Sequence, residues 1–403
     1  MKTIVTCNVY KDYNFGGPSI LCGFYELMKY IFVDDFKIIN LEGRYVNSEE
    51  LRDIPIESVH HELPSKKTLY KCFFGSSHTV NLVEVLKIIK SSDVIVDLYG
   101  ICFCEKLNMS KMSSWRYFQR AITAFFVSWL AKNICNKKVV KNSASYGPII
   151  SNYNKKLAKY MCNDIFDVIV ARERLSHLAI NNEGISNKKI LDVPDVANLM
   201  PYDKNVAIDS NKISISISYQ IKKQWHSKED YVLCISNLCT YLMAVHGYKI
   251  VLIPNEYDPA IYNDINVADE ILQQIYEHNE SRTKDILILP VERMTAVEVK
   301  NEIASSYVLL SSRYHSCVAG LSSCTPTFSI GWHYKYDELL TLYGQNRWQL
   351  DCNNCTSKKL IDAFDEFLNS RDKNVEIIRE HKEDVREKVI QGGIKMFHLA
   401  GVI

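Results

Sequence analysis

Short apolar runs that alternate with helix-length segments constrain the fold of this 403-residue chain more than any other feature. The runs lie at residues 3–9, 94–98, 165–170 and 191–193 in the first half and at residues 212–219, 249–253, 285–289 and 307–310 in the second. Strands that are separated by helices form βαβ units, and these units build parallel sheets. The chain is therefore predicted to be an α/β protein.

A polar stretch near residues 205–211 separates the two series, and the chain is too long for one ordinary core. We therefore expect two Rossmann-like domains that face each other in a GT-B-like arrangement, residues 1–204 and residues 212–357. Residues 358–403 follow as a charged helical tail with an apolar stripe. A tail of this kind is long enough to cross back to the other domain.

Composition and motifs exclude several classes of function. Lysine and arginine number 48 against 47 aspartates and glutamates, so the basic excess of a nucleic-acid-binding protein is missing. Neither a G-x-G-x-x-G nor a Walker pattern occurs, which argues against dinucleotide oxidoreductases and NTPases. Nucleic acid is therefore not an expected partner.

Most of the 13 cysteines lie within apolar runs, where reduced thiols pack as small hydrophobes. Cys352 and Cys355 form a close pair, but no second pair or histidine cluster completes a zinc site, so no metal is expected. The residues after Met1 indicate a short strand rather than a leader peptide. These features predict a cytoplasmic protein.

An aromatic segment, residues 115–130, is the part of the sequence that suggests contact with a membrane. Its uninterrupted apolar part is shorter than the ~20 residues that span a bilayer. The segment could lie in the membrane interface, at the inner face of the membrane, or contact a lipid-linked substrate. A buried crossover helix is the alternative that we favour.

Two neighbouring strands of the second series end in a cation and an imidazole. Arg313 and His315 follow the apolar run 307–310, and His333 and Lys335 follow the next strand. Because open α/β sheets bind ligands at the carboxyl ends of their strands, we expect these side chains to converge on one site. Arginine is suited to holding an anion and histidine to donating a proton. Helix capping and pairing with surface carboxylates are the structural alternative.

The first series offers further candidates at strand ends. Asp97 ends one strand close to Gly100, and Asp195 follows another strand. Arg172 follows a third strand, and Ser176 stands where the next helix begins. Taken singly, each is better explained by a structural role such as an ion pair or a helix cap. Taken together, they line an edge where such folds bind ligands.

In chain order, these segments resemble the motifs of the polysaccharide pyruvyl transferase family, over roughly residues 1–344. The resemblance is carried by Asn14-Phe15-Gly16-Gly17, residues 93–100, Ser145-Tyr146-Gly147-Pro148, residues 172–176, Val193-Pro194-Asp195, Leu252-Ile253-Pro254, and Ser312-Arg313-Tyr314-His315 with Pro326 and Lys335. The chain departs from the family pattern at Gly17, Tyr99, residues 144–146 and Glu173. These departures fall in the first domain.

The resemblance implies transfer of a pyruvyl group from phosphoenolpyruvate to two hydroxyls of one sugar. The sugar would belong to a cell-surface polysaccharide, such as an exopolysaccharide, or to its lipid-linked precursor. The products are a cyclic ketal and phosphate. The donor is expected in the second domain and the acceptor in the first. No cofactor is implied, and phosphoenolpyruvate is the co-substrate.

The resemblance also suggests roles for individual residues. His315 is the expected acid that protonates the donor, and Asp97, with Asp195 as second choice, is the expected base. The expected substrate-binding residues are Arg172, Arg313, Lys335, Ser176, Asn14, Gly16, Gly100 and His333.

Two other functions stay open from the sequence alone. A sugar-nucleotide glycosyltransferase of the GT-B type would share the two domains and would use Arg313 and Lys335 to hold a diphosphate. A non-catalytic scaffold of polysaccharide assembly is the second alternative, which the departures in the first domain would permit. The acceptor sugar, the hydroxyls that are bridged, the lipid linkage and the oligomeric state are left open.

Overall fold

The chain forms two compact units in a computed structural model that describes residues 1–11, 13–33, 35–43, 55–61, 79–105, 110–185, 190–279 and 284–403. The first unit consists of Met1–Lys11, Ile20–Leu199 and Glu387–Ile403, and the second of Asp12–Ser19 and Met200–Arg386. This division differs from the expected domains at three places, one of which is that residues 200–204 group with the second unit. Residues 12–19 group with the second unit, and the last residues of the C-terminal tail group with the first.

The first unit is built on a parallel sheet. Its strands are β1 (Lys2–Cys7), β2 (Phe36–Glu42), β3 (Ile56–His60), β4 (Val94–Asp97), β5 (Ile101–Cys102), β6 (Lys138–Tyr146), β7 (Val168–Ala171) and β8 (Ile190–Asp192). They are ordered β3-β2-β1-β4-β6-β7-β8, and β5 pairs with β6. This is the doubly wound order of a Rossmann-like sheet, in which the direction of winding reverses between β1 and β4.

Helices follow the strands of this sheet. They are α1 (Gly16–Phe32), α2 (Leu82–Ser91), α3 (Lys111–Ala124), α4 (Phe126–Asn133), α5 (Asn152–Tyr160) and α6 (Arg174–Asn182), with a π-helical turn at Met161–Ile165 and a 3₁₀ turn at Val196–Leu199. Local sequence explains where several of them begin. Asn81 and Glu84, for example, form a capping box that satisfies the first backbone amides of α2.

The second unit contains a parallel sheet of the same winding. Its strands are β9 (Asp209–Ser216), β10 (Lys249–Ile253), β11 (Ile286–Ile288), β12 (Ser306–Ser311), β13 (Thr327–Gly331) and β14 (Gln349–Asp351). They are ordered β11-β10-β9-β12-β13-β14, so the winding reverses between β9 and β12. A ligand crevice is expected beyond the carboxyl ends of these two strands.

Helices α7 to α14 complete the second unit and the tail. They are α7 (Tyr219–Gln224), α8 (Tyr231–Val245), α9 (Asp264–Asn279), α10 (Ala296–Ala304), α11 (Tyr314–Ser322), α12 (Tyr334–Leu342), α13 (Ser357–Asn369) and α14 (Arg371–Ala400), with 3₁₀ turns at Val291–Arg293 and Cys352–Asn354. Among the described helices, none has both the length and the apolar composition required to cross a membrane.

Apolar side chains of each sheet and its helices form the cores. The core of the first unit includes Val5, Ile95, Val139 and Ile169 from four strands. That of the second includes Ile215, Leu252, Leu310 and Ile330 in the same way. Strands that are buried on both faces read as continuous apolar runs, which is why the sequence located them. The predicted α/β class with two parallel sheets is confirmed.

Candidate functional site

The carboxyl ends of β9, β10 and β12 lie side by side in the second unit. Ser216 at the end of β9 is in register with Ile253 of β10 and with Ser311 of β12. Beyond this row, Asn255 Nδ2 donates to Ser216 Oγ (2.7 Å), and Ser316 Oγ donates to Asn255 Oδ1 (2.8 Å). Since these polar side chains are buried and hydrogen-bonded to one another, they form a rigid network at the strand ends.

Arg313 directly follows this row and precedes α11. Its Nε donates to Asp264 Oδ2 (2.9 Å), and its Nη2 contacts both Asp264 Oδ1 and Glu256 Oε2, the latter at 3.1 Å. Burial alone would lower the pKa of Arg313, but the charges of the two carboxylates raise it. The guanidinium is therefore permanently charged, and two carboxylates already balance that charge.

Asp264 organises the loop that approaches Arg313. Its carboxylate is fully buried and accepts the backbone N–H groups of Tyr219 (2.7 Å), Asn255 (3.0 Å) and Glu256 (3.0 Å). A carboxylate with this many donors is held in one orientation. Asp264 therefore fixes the Arg313 fork and the backbone after β10 relative to each other.

The Asn14 motif, although it is near the start of the chain, is attached to this loop of the second unit. The backbone N–H of Phe15 donates to the Asn255 carbonyl (2.9 Å), and that of Tyr257 donates to the Tyr13 carbonyl (3.0 Å). Asn14 Oδ1 accepts the N–H of Gly17 (2.8 Å), which closes the turn at the start of α1. The motif thus places the first residues of α1 beside the carboxyl edge of the second sheet.

His315 packs against the first residue of α1. A Cβ atom added to Gly16 would lie 2.6 Å from Nδ1 of His315 and 3.0 Å from Cε1. The first distance is shorter than real Cβ contacts and the second is tighter than most, so the absence of a side chain at Gly16 is what allows the imidazole to occupy this position. The position of the His315 ring therefore depends on Gly16, a residue that is 299 positions earlier in the sequence.

Lys335 lies near the ring of Tyr314, the residue before His315. The Tyr314 ring is 5.4 Å from the His315 ring, and Lys335 Nζ is 5.3 Å from the centre of the Tyr314 ring. The ammonium also lies near the rings of Trp332 (5.7 Å) and Tyr336 (5.5 Å). Three aromatic faces stabilise a cation in a position from which water is largely excluded.

His333 caps the helix that carries Lys335. Its Nδ1 accepts the backbone N–H of Lys335 at 3.4 Å, at the start of α12. The second unit thus contains six of the expected site residues: Arg313, His315, His333, Lys335, Asn14 and Gly16. The Tyr314 ring lies near one side chain from each strand end, His315 after β12 and Lys335 after β13.

A second cluster surrounds Arg172 in the first unit. Arg172 Nη1 donates to Asp195 Oδ2 (2.5 Å), Nε to Glu173 Oε1 (2.7 Å) and Nη2 to Ser145 Oγ (2.5 Å). Its side chain and those of both carboxylates are at most 2% exposed. The expected residues Arg172 and Asp195 are therefore partners in a buried ion pair.

Ser176 belongs to the same cluster. Its hydroxyl donates to Glu173 Oε2 (2.6 Å) and accepts the backbone N–H of Tyr146 (2.9 Å). Burial alone would raise the pKa of Glu173, but the charge of Arg172 and the hydrogen bonds of Ser176 and Ser145 lower it. The cluster ties together the carboxyl ends of β6, β7 and β8.

Asp97 is held in a different buried ion pair of the first unit. Its Oδ1 lies 3.1 Å from Lys141 Nζ, and both side chains are 0% exposed. The carboxylate also accepts hydrogen bonds from Asn8 Nδ2 (2.7 Å), Ser128 Oγ (2.8 Å) and the N–H of Tyr99 (3.0 Å). This is the environment of a carboxylate that joins β4 to β6.

Gly100 follows Asp97 and is half-buried. Its carbonyl accepts the N–H of Ser145 at 3.0 Å, which connects the loop after β4 to β6. The nearest atom to a Cβ built on Gly100 is Cδ1 of Ile20 at 3.8 Å, an ordinary contact. The expected residues of the first unit thus form two buried networks around Arg172 and around Asp97.

Sequence reasoning missed the residues that hold the second-unit site together. Asn255, Glu256 and Asp264 were not among the expected site residues, although the first two directly follow the strand end Ile253-Pro254. Their position just after a buried strand could therefore have indicated that Asn255 and Glu256 belong to the site. Within the described ranges, no group of three or more His, Cys, Asp or Glu side chains could hold a metal ion.

Comparison with protein families gives one match that covers most of the chain. A family model described as polysaccharide pyruvyl transferase matches residues 14–334. This range begins at the Asn14 motif and ends next to Lys335. No curated protein matches the sequence significantly.

Solved structures share the fold at low sequence identity. HepE of Anabaena in complex with UDP-glucose is 11% identical, with 100% of both chains covered and a TM-score of 0.61. UDP-GlcNAc 2-epimerase of Methanocaldococcus jannaschii is 13% identical over 92% of this chain and 93% of its own, with a TM-score of 0.59. An O-GlcNAc transferase of Thermobaculum terrenum is 10% identical over 99% and 66%, with a TM-score of 0.51. These similarities confirm the GT-B-like fold class.

Proposed function

This chain belongs to the polysaccharide pyruvyl transferase family, and we propose that it transfers the pyruvyl group of phosphoenolpyruvate to two hydroxyls of one sugar. Membership identifies a transferase enzyme that acts in polysaccharide pyruvylation. The observation that carries the finer proposal is the position of His315, between the Gly16 end of α1 and the Tyr314 ring beside Lys335. This supports the proposal, because an imidazole that could donate a proton and an ammonium that could bind an anion lie near the same tyrosine ring.

Phosphoenolpyruvate carries a carboxylate and a phosphate, so its site requires more than one source of positive charge. Lys335 supplies one, and the first backbone amides of α1 supply a partial positive charge next to His315. Arg313 uses Nε and Nη2 for Asp264 and Glu256, and its Nη1 makes no hydrogen bond with any described residue. We assign Nη1 to an anionic group of the donor.

The proposed reaction begins with proton transfer from His315 to the methylene carbon of the donor, which becomes the methyl group of the product. The central carbon then accepts one sugar hydroxyl, and a base removes the hydroxyl proton. Attack by the second hydroxyl at the same carbon breaks the bond to phosphate and closes the ketal, and the proton of this hydroxyl leaves with the phosphate. The base then releases its proton and His315 regains one by exchange with solvent. The steps balance without an oxidant or a reductant.

Exposure of the carboxylates favours one candidate for the base. The side chains of Asp97 and Asp195 are 0% and 1% exposed, whereas that of Glu256 is 23% exposed and lies beside Arg313. A base must reach the hydroxyl that it deprotonates. We therefore propose Glu256 in this role, with Asp97 and Asp195 as the alternatives that mutagenesis decides between.

The proposal is tested by incubating the enzyme with phosphoenolpyruvate and a panel of free, polymeric and lipid-linked sugars. Phosphate release that depends on the sugar, together with the ketal methyl signal in the product's NMR spectrum, is the expected result. His315→Asn should abolish both. Nucleotide release from UDP-sugars, with no consumption of phosphoenolpyruvate, would instead establish a glycosyltransferase, and inertness toward both donors would support the scaffold.

A further inference from the structure

Charge is distributed very unevenly along this nearly neutral chain. Between residues 106 and 163 there are 11 lysines and arginines and no aspartate or glutamate. The rest of the chain therefore carries 37 basic residues against 47 acidic ones. A net charge near zero thus conceals a strongly basic segment, which belongs to the first unit and includes α3, α4 and α5.

Helix α3 presents most of its surface to solvent. Ser114 and Ala121 are its only buried residues, and they define the inner side of the helix. On the outer side, Met112, Trp115 and Ile122 are 65%, 48% and 46% exposed. At 3.6 residues per turn these three side chains fall within a sector of about 80°. They form an apolar strip on the surface of the unit, with exposed Gln119 as the one polar residue in the same sector.

Basic residues flank this strip. Lys111, Arg116 and Arg120 of α3 are exposed, and the arginines lie on the sector next to the apolar one. Helix α5 adds exposed Lys156 and Lys159. Both helices lie in the part of the chain that lacks acidic residues, so no carboxylate from this segment offsets their charge.

The outer side of α3 is held in place by the unit itself. Ser110 caps the helix, and Ser114 Oγ donates to Glu105 Oε1 (2.5 Å) on the inner side. The Trp115 ring packs with Phe118 at 5.2 Å and with Tyr153 of α5 at 5.8 Å. The helix that carries the exposed apolar strip is therefore held in place by contacts with the rest of the first unit.

We propose that this surface, defined by Met112, Trp115, Arg116, Arg120 and Ile122, binds the face of a lipid bilayer that contains anionic phospholipids. Tryptophan favours the interface, where its ring is in an apolar environment and its N–H in a polar one. Arginines beside it attract anionic headgroups while the apolar strip enters the acyl boundary. Nucleic acid would engage the arginines but would leave the exposed apolar side chains in water. The proposal stands independently of the pyruvyl transfer reaction.

Sedimentation of the full chain with vesicles tests this surface. We expect binding to vesicles of phosphatidylcholine with phosphatidylglycerol, weakened by salt, and little binding to phosphatidylcholine alone. One basic residue at an anionic bilayer contributes about fivefold in affinity, so Arg116→Glu with Arg120→Glu should weaken binding at least about thirtyfold. The matched control is Lys373→Glu with Arg379→Glu, which makes the same charge change at exposed positions of α14.

A second pair of variants tests the apolar strip. Trp115→Asp should abolish vesicle binding, whereas Val245→Asp, at a 61% exposed position of α8, should not. Failure of the unmodified chain to bind anionic vesicles, or equal losses in the test and control variants, would overturn the proposal. A dimer that dissociates on Trp115→Asp would also overturn the proposal, because a second copy of the chain would then cover this surface. A higher affinity for nucleic acid than for vesicles would overturn it as well.

Discussion

Replacement of Gly16 by alanine tests whether the position of His315 determines the rate of the reaction. The new Cβ would lie 2.6 Å from Nδ1, and ordinary contacts begin at about 3.4 Å, so the imidazole must move by about 0.8 Å. The atom that must move belongs to a side chain, so the stability cost should stay within the range of about 1–3 kcal/mol for overpacking. A misplacement of about 1 Å can lower a rate about a hundredfold, which corresponds to about 2.7 kcal/mol.

The assay is phosphate release at saturating phosphoenolpyruvate and sugar, for Gly16→Ala and for a matched glycine variant. Gly393→Ala is the control, because its new Cβ would be equally crowded by a side chain, 2.6 Å from Cδ1 of Leu27, but in contact with no expected site residue. We expect kcat to fall about a hundredfold for Gly16→Ala and to stay within about threefold for Gly393→Ala. Thermal unfolding of each variant separates a rate effect from a loss of folded enzyme.

A double-mutant cycle identifies His315 as the group through which Gly16 acts. In a His315→Ala background the space that the imidazole occupied is empty, so Gly16→Ala should have little further effect on residual activity. Equal losses from Gly16→Ala with and without the imidazole would refute the reasoning. Full activity of Gly16→Ala would refute it as well, since the ring would then have no required position.

Three further predictions concern the carboxylates near Arg313, Lys141 and Arg172. Asp264→Asn should destabilise the protein by about 3 kcal/mol in urea unfolding, because Arg313 loses a buried partner, and a loss below about 1 kcal/mol would contradict this. Glu256→Gln should lower kcat about a hundredfold with little loss of stability. Asp97→Asn should mainly lower stability, because Lys141 loses its buried partner. The reverse pattern would make Asp97 the base. Because the folded-state pKa of Glu173 lies below its ordinary value of 4.5, its contribution to stability is present above pH 4.5 and is lost as pH falls through the folded-state pKa. The difference in unfolding free energy between wild type and Glu173→Gln should therefore be constant near neutrality and shrink in acid, and a difference that does not change with pH would contradict the assignment.

Most of the strands were predictable because they depend on local sequence, although β2, β3, β5 and β14 were not identified. The apolar run at residues 307–310 identified β12, and with it the positions of Arg313 and His315 at a carboxyl edge. The unit to which the Asn14 motif belongs was not predictable in this way. Its place depends on backbone pairing with Asn255, a contact between segments that are far apart in the chain. The spacing of apolar residues and the amino-acid composition contain no information about such a pairing.

The environment of Asp97 shows a second limit of local reasoning, together with a neglected indication. A carboxylate at a strand end looks the same in the sequence whether it meets substrate or a buried cation. Its partner Lys141 lies directly opposite on β6, where the register pairs the two residues. A lysine within the apolar strand that contains Val139 and Val140 is itself informative, because a buried ammonium requires a carboxylate. The ion pair could have been inferred from that lysine.

The two arginines at strand ends share one arrangement and differ in exposure. Arg172 is paired with Glu173 and Asp195, and Arg313 with Asp264 and Glu256, so each group of three carries a net negative charge. Phosphoenolpyruvate, an anion, would therefore be bound weakly by either arginine, unless it displaces a carboxylate or receives a hydrogen bond from a guanidinium nitrogen that neither carboxylate uses. The Arg172 side chain is 2% exposed and that of Arg313 is 19% exposed, so only Arg313 offers a nitrogen to solvent. Position in the sequence made the two arginines equivalent candidates, whereas exposure favours Arg313 as the one that meets substrate.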